Sequence, residues 1–253
     1  MTLFINSLHS EWLKTKRSLA SLLVIVGGFF LPAIMILIHI LRPAKLPAQY
    51  AAADFWVSHF KNLWQSMAVM MLPMGIILAI SLIAQLEFKN NTWKQLHATP
   101  QSATTIFFAK FGVILLMQLE LFVLFTIGIY LSALIPSLVL ESVPYPTAPI
   151  PYDYILRESA WFFLDSLPIV ALQYLLSLLF RNFLVSVGAG LVLMVTGILM
   201  ISWEYSYTFP YNYIVLDYLD RFPAVNLHLW AVVYFVVILL TGYILFLTKR
   251  EKG

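Results

Sequence analysis

Two carboxylates, Glu120 and Asp165, stand inside stretches that are otherwise hydrocarbon. An ionised carboxylate in the core of a bilayer costs about 3 kcal/mol even on mild scales, so such residues serve a proton relay or a cation site, or face a bundle interior. The residues leave both readings open. One is an ATP-independent proton-linked carrier or channel working through Glu120 and Asp165. The other is a pair of structural acids held by Gln118, Gln173 or hydroxyls, with Asp165 wet near the outer end of its span. Other chemistry is poorly provided for. The five histidines (His9, His39, His59, His97 and His228) are scattered and form no i, i+4 pair, so no metal site is expected. No G-x-x-x-x-G-K-[ST], H-E-x-x-H or G-x-S-x-G occurs, and there is no cysteine. An enzyme is therefore not expected, and neither is a cofactor bound by this chain.

The elements that would position these acids follow from composition. Of 253 residues, 61% are hydrophobic and 11% charged, and the mean hydropathy is +0.88. A soluble domain carries about a quarter charged residues, so this chain is expected in a bilayer, with no nucleic-acid partner. Apolar runs of near-spanning length lie at Leu19–Leu41, Leu63–Ala84, Phe111–Leu134, Ala160–Phe180, Phe183–Ile201 and Leu229–Leu247. They are continuous instead of alternating, which argues against a barrel. The first is too long for a signal-peptide core. The predicted fold is an all-α membrane protein with six transmembrane helices, forming a single domain over 1–253.

Lysine and arginine orient it. Ten of the 15 lie in the N-terminal tail, the interval after the second span, the turn after the fourth and the C-terminal tail. Both termini are therefore expected to be cytoplasmic, in a cell inner membrane. On the outer side, residues 42–62 read as lying along the interface. The five prolines of residues 135–159 point to an extended, hairpin-like loop. Residues 202–228, dense in tyrosine and tryptophan, read as short helices dipping into the outer leaflet. Arg181 and Asn182 alone join the fourth and fifth spans, which must be antiparallel neighbours. Gly27-Gly28 and the pair Gly188 and Gly190 allow close helix approach. Residues 1–17 form an amphipathic interfacial helix, with Phe4, Leu8 and Trp12 on one face and Ser7, Ser10, Glu11 and Lys14 elsewhere.

The cytoplasmic interval 85–110 is a built object. Glu87 closes the second span, and Trp93 and Leu96 share a helical face. Thr99-Pro100 stops that helix, and Ser102 caps a new one leading to Lys110, which is expected to snorkel at the head groups. In order, Glu87, Thr92-Trp93, Leu96, Pro100, Ser102 and Ala109-Lys110, set inside six spans behind an interfacial helix, resemble the ABC-2-type transporter permeases. Within these the chain looks most like the short permeases of bacteriocin and lantibiotic self-protection, and so of antimicrobial peptide resistance. Gln101 and Ala103 stand where such loops usually carry a basic residue after the proline.

The resemblance implies a permease subunit of an ABC exporter that moves an amphipathic peptide-like or lipid-like substrate outward. A separate ABC ATPase would bind the ATP and magnesium, and the permease would dimerise with itself or with a sister permease. Residues 85–110 would be the coupling loop. Trp93 and Leu96 would enter the ATPase, Lys94 and His97 would form the rim, and Glu87, Thr92 and Pro100 would frame the helix. A rigid lever of this kind can pass a domain's closure into movement of the spans.

Overall fold

In a computed structural model, which describes residues 2–89, 102–180 and 182–251, the chain is all-helical, with no strand among the described residues. The helices are α1 (Thr2–Thr15), α2 (Leu19–Leu41), α3 (Leu46–Tyr50), α4 (Phe55–Ser66), α5 (Leu72–Lys89), α6 (Ala103–Val139), α7 (Tyr152–Leu179), α8 (Phe183–Met200), α9 (Tyr213–Tyr218) and α10 (Leu227–Glu251). A π-helical turn at Met67–Met71 joins α4 to α5, so the second span is one rod. Among the described residues, six helices are long and apolar enough to cross a membrane. Six crossings leave both termini at the same end of the bundle, called here the near end.

The first span matches the apolar run at Leu19–Leu41, while others are longer than hydropathy alone shows. The second starts at Phe55, the third at Ala103 and the fourth at Tyr152. Polar or aromatic turns at their ends are excluded from an apolar run, yet they continue the backbone ladder. The expected extended loop over 135–159 is accordingly corrected: only about its middle, 140–151, lies between helices. Pro136 sits in the last turns of α6, where it removes the N–H that would bond the Ser132 carbonyl. The His39 ring of α2 reaches that carbonyl instead, with Nδ1 at 3.3 Å. Nearby, the Tyr50 hydroxyl donates to the Ala133 carbonyl at 2.9 Å, and Trp56 Nε1 donates to the Ala148 carbonyl at 3.0 Å. Residues 42–54 thus fold inward as short helical turns leading into the second span, with Tyr50, Phe55 and Trp56 buried.

The core lies along α4 to α7. Trp64 stacks on Phe162 at 4.4 Å and meets Phe125 edge-on at 5.1 Å. Toward the near end Phe107 contacts Tyr174, Tyr243 and Phe246. Helices α2 and α6 approach through glycine on both sides. A Cβ on Gly28 would lie 2.8 Å from Leu124, and one on Gly128 would lie 2.6 Å from Pro32. Gly190 is equally confined, by Gln173 and Ile77, whereas Gly188 faces open space and does not mediate packing. α8 packs against α7 as the short connection requires. Asn182 caps α8, accepting from the Leu184 N–H at 2.9 Å.

Candidate functional site

At the near end α5 closes the second span and α6 opens the third. Ser102 caps α6, its hydroxyl accepting from the Thr105 N–H at 3.1 Å, as the sequence suggested. Thr92, Trp93, Lys94, Leu96, His97 and Pro100 lie outside the described residues, as does the side chain of Glu87. The frame on which this loop is mounted is described. Leu8 of α1 packs so close to α6 that a Cβ on Gly112 would stand 2.9 Å from its Cδ1. Glu11 bridges Lys14 at 2.5 Å and Lys110 at 3.7 Å.

That arrangement corrects two expectations. Lys110 does not snorkel, since it is 5% exposed and faces Glu11 inside the protein. Ser7 and Glu11 do not face away from the bundle, because with Thr15 they form the most buried seam of α1. Leu8 and Trp12 pack beside this seam against the core, and Phe4 is exposed together with Leu3, Ile5 and Leu13. α1 therefore turns a polar seam to α6 and an apolar edge outward, where head groups and acyl chains meet. A plain count of apolar periodicity misses this, because the ion pair joins residues 99 positions apart in sequence.

Beside this ion pair lies a polar node. Gln173 Nε2 donates to Ser81 Oγ at 2.9 Å and to the Ser186 carbonyl and hydroxyl at 3.1 Å each. Ser177 Oγ meets Ser186 Oγ at 2.9 Å. The node ties α5, α7 and α8 together, so displacement of the α5 end is felt by both other helices.

The two intramembrane acids part company. Asp165 is not wet: it is fully buried near the middle of α7, because that helix begins eight residues before Ala160. His228 Nδ1 donates to its two oxygens at 3.0 and 3.1 Å. The imidazole stacks on Trp161 at 4.0 Å and presents Nε2 to Asp217 Oδ1 at 3.8 Å. Asp165, Asp217 and His228 are also the three donors that could together hold a cation, their ligand atoms lying within 4.8 Å of one another. His228 is already bonded to Asp165 and stands only near Asp217, so the His228–Asp165 contact fastens the start of α10 to α7. Sequence spacing could not find this trio, since its members lie on three elements.

Within residues 202–228 the short helices expected from the aromatics are present at Ser206–Thr208 and α9, with Tyr211, Tyr213 and Leu216 buried. Burial raises the Tyr211 and Tyr213 hydroxyls above the usual tyrosine range. Burial, and then the Asp165 charge, push the Asp217 carboxyl up to about 6. Asp217 opens on a cavity of about 290 Å³ that Lys61, Glu158 and Asp220 also line.

Glu120 is half-buried and shares a face of α6 with the exposed Leu116, Val123 and Ile127. Gln118, two residues away, points instead at Ser166 of α7. Two residues are about 200° around a helix, so Glu120 faces away from the helix that carries Asp165. The fold does not bring the two acids together.

No curated protein matches this chain. The family described as ABC-2 family transporter protein matches residues 7–197, well over half of the 253. The match runs from within α1, through the interval 85–110, to near the end of the fifth span. The chain therefore belongs to the ABC-2 family transporter proteins, as a multi-pass membrane permease.

Proposed function

We propose that the chain is the membrane half of an ATP-driven exporter, moving an amphipathic peptide-like or lipid-like molecule outward with energy from a separate ATPase subunit. Both termini and residues 85–110 face the cytoplasm, and the loop helix bearing Trp93 and Leu96 seats in the ATPase. The observation that carries this reading is the buried Glu11–Lys110 contact. It braces the interfacial helix against the segment that leaves the loop, in a chain of the ABC-2 family. A push on the loop is then delivered to α6 directly, and to α5, α7 and α8 through the Gln173 node.

A second permease, another copy or a sister chain, covers the Glu120 face of α6. Glu120 lies ten residues beyond Lys110, which is about 15 Å along a helix and so near mid-bilayer. A carboxylate turned outward there costs about 3 kcal/mol in lipid, a cost that a polar neighbour removes. The translocation route runs at this seam, closed on the outside by residues 202–228. Self-protection against a bacteriocin suits such a permease.

The test is co-purification in detergent with the cognate ATPase, wild type against Trp93→Ala/Leu96→Asp. Loss of the ATPase from a variant that keeps its elution profile is the expected result. Equal retention would remove the loop from the coupling surface.

A further inference from the structure

An apolar cavity of about 260 Å³ lies between α2, the second span and α6. It exists for identifiable reasons. The second span departs from the α-helix at Met67–Met71, just before Pro73, which has no N–H to continue the ladder. Such π-helical turns recur at functional sites. Gly75 follows, and a Cβ there would meet nothing within 4 Å, so a missing side chain leaves the space open. Met67 and Met71 line the cavity, and methionine adapts to varied apolar shapes. Val26 and Phe30 of α2, both about half exposed on the bundle surface, form its mouth.

One lining residue breaks the hydrocarbon character. Gln118 is 6% exposed, and its Oε1 has no donor among the described residues. The orientation of its amide is fixed by the network. Ser166 Oγ donates to the Phe163 carbonyl at 2.6 Å, so its lone pairs must receive the Gln118 N–H. The amide oxygen is left as the open acceptor. A water does not suit this place, because a buried water needs two to four polar partners.

We propose that this cavity is a lateral binding site for a single-chain amphiphile that carries a hydroxyl or amide N–H. The apolar chain enters past Val26 and Phe30, and the polar hydrogen donates to Gln118 Oε1. As a ligand site it stands on this geometry alone. As the port through which an exported molecule leaves the bilayer, it rests on the export reading above.

The test uses hexadecanol carrying a mid-chain diazirine, and its methyl ether, photolysed with the purified chain in phosphatidylcholine nanodiscs without ATPase. Labelled peptides are mapped by mass spectrometry. In wild type the alcohol should label the Met67–Gly75 segment about tenfold more than the ether, the scale of one buried hydrogen bond. Gln118→Leu should bring the alcohol down to the level of the ether and leave the ether unchanged. Gly75→Leu, placed in open space and therefore tolerated by the fold, should cut both about tenfold. Labelling spread evenly over the exposed faces of α2, α8 and α10 in every variant would overturn the site. Equal loss of both probes in Gln118→Leu would overturn the hydrogen bond. Because no ATPase is present, failure here leaves the coupling reading intact, and failure of the co-purification leaves this result intact.

Discussion

At the scale of single residues, the most informative contact is His39 on the Ser132 carbonyl. Proline at 136 strips that carbonyl of its helical partner, and in a fully buried place the orphan must be answered from elsewhere. The imidazole of another helix answers it. His39→Leu should therefore destabilise the protein by about 1–3 kcal/mol, the penalty of an unpaired buried acceptor. In a Pro136→Ala background the alanine N–H can take the Ser132 carbonyl, and the same substitution should cost less than about 1 kcal/mol. Thermal midpoints of the four proteins in detergent measure the coupling, while losses from the His59 and Tyr50 ring contacts cancel in the cycle. A His39→Leu effect of equal size in both backgrounds would detach His39 from the role of proline's substitute. Neither member was legible in the sequence. Pro136 reads as a loop residue, and His39, 97 positions earlier, reads as one more isolated histidine.

At the scale of elements, hydropathy located every span because burial in lipid demands a continuous apolar run, and that demand is local. It failed at the ends, where capping and polar turns belong to the helix but not to the run. It also failed wherever a polar side chain turns inward to a distant partner, as Glu11, Lys110 and Asp165 do. The docking of α9 shows what such a partner does. Asp217 is partly buried among Asp165, Glu158 and Asp220, with only His228 to offset them, and its carboxyl is raised to about 6 from an ordinary 3.8. A raised carboxyl binds its proton more tightly in the folded state. The stability it contributes is complete below the ordinary value and is lost as pH rises through about 6. Asp217→Asn stays neutral throughout. Its thermal midpoint should exceed that of wild type at pH 7.5, by a stability of about 1–3 kcal/mol, and the gap should shrink towards pH 4.5. A gap that widens on acidification would mean that Asp217 holds α9 as an anion through His228.

At the scale of the whole molecule, the question is whether the two membrane acids drive transport or serve structure. A relay requires groups that exchange a proton through contacts or ordered water, and the fold separates these two. Asp165 is held by His228 at the start of α10, while Glu120 looks out from the opposite side of α6. The outer helices turn most of their apolar surface away from the bundle: only 17% of the apolar window of α2 is buried, 22% for α8 and 11% for α10. In the permease reading, force enters at the near end through α1, α6 and the Gln173 node, and the acids are spectators of the chemistry. Glu120→Gln with Asp165→Asn removes both charges and keeps both shapes, and the asparagine carbonyl can still accept from His228. Vesicles carrying the wild-type chain should hold an imposed pH gradient as long as empty vesicles, by pyranine fluorescence. The doubly substituted chain, joined to its ATPase, should hydrolyse ATP within about twofold of wild type, since neither side chain lies on the path from loop to span. If wild type dissipates the gradient and the double variant does not, the acids form a proton path and the carrier reading replaces the permease. If the gradient holds but ATP hydrolysis collapses, the Asp165–His228 contact belongs to the stroke, and the far end of the bundle must move with each turnover.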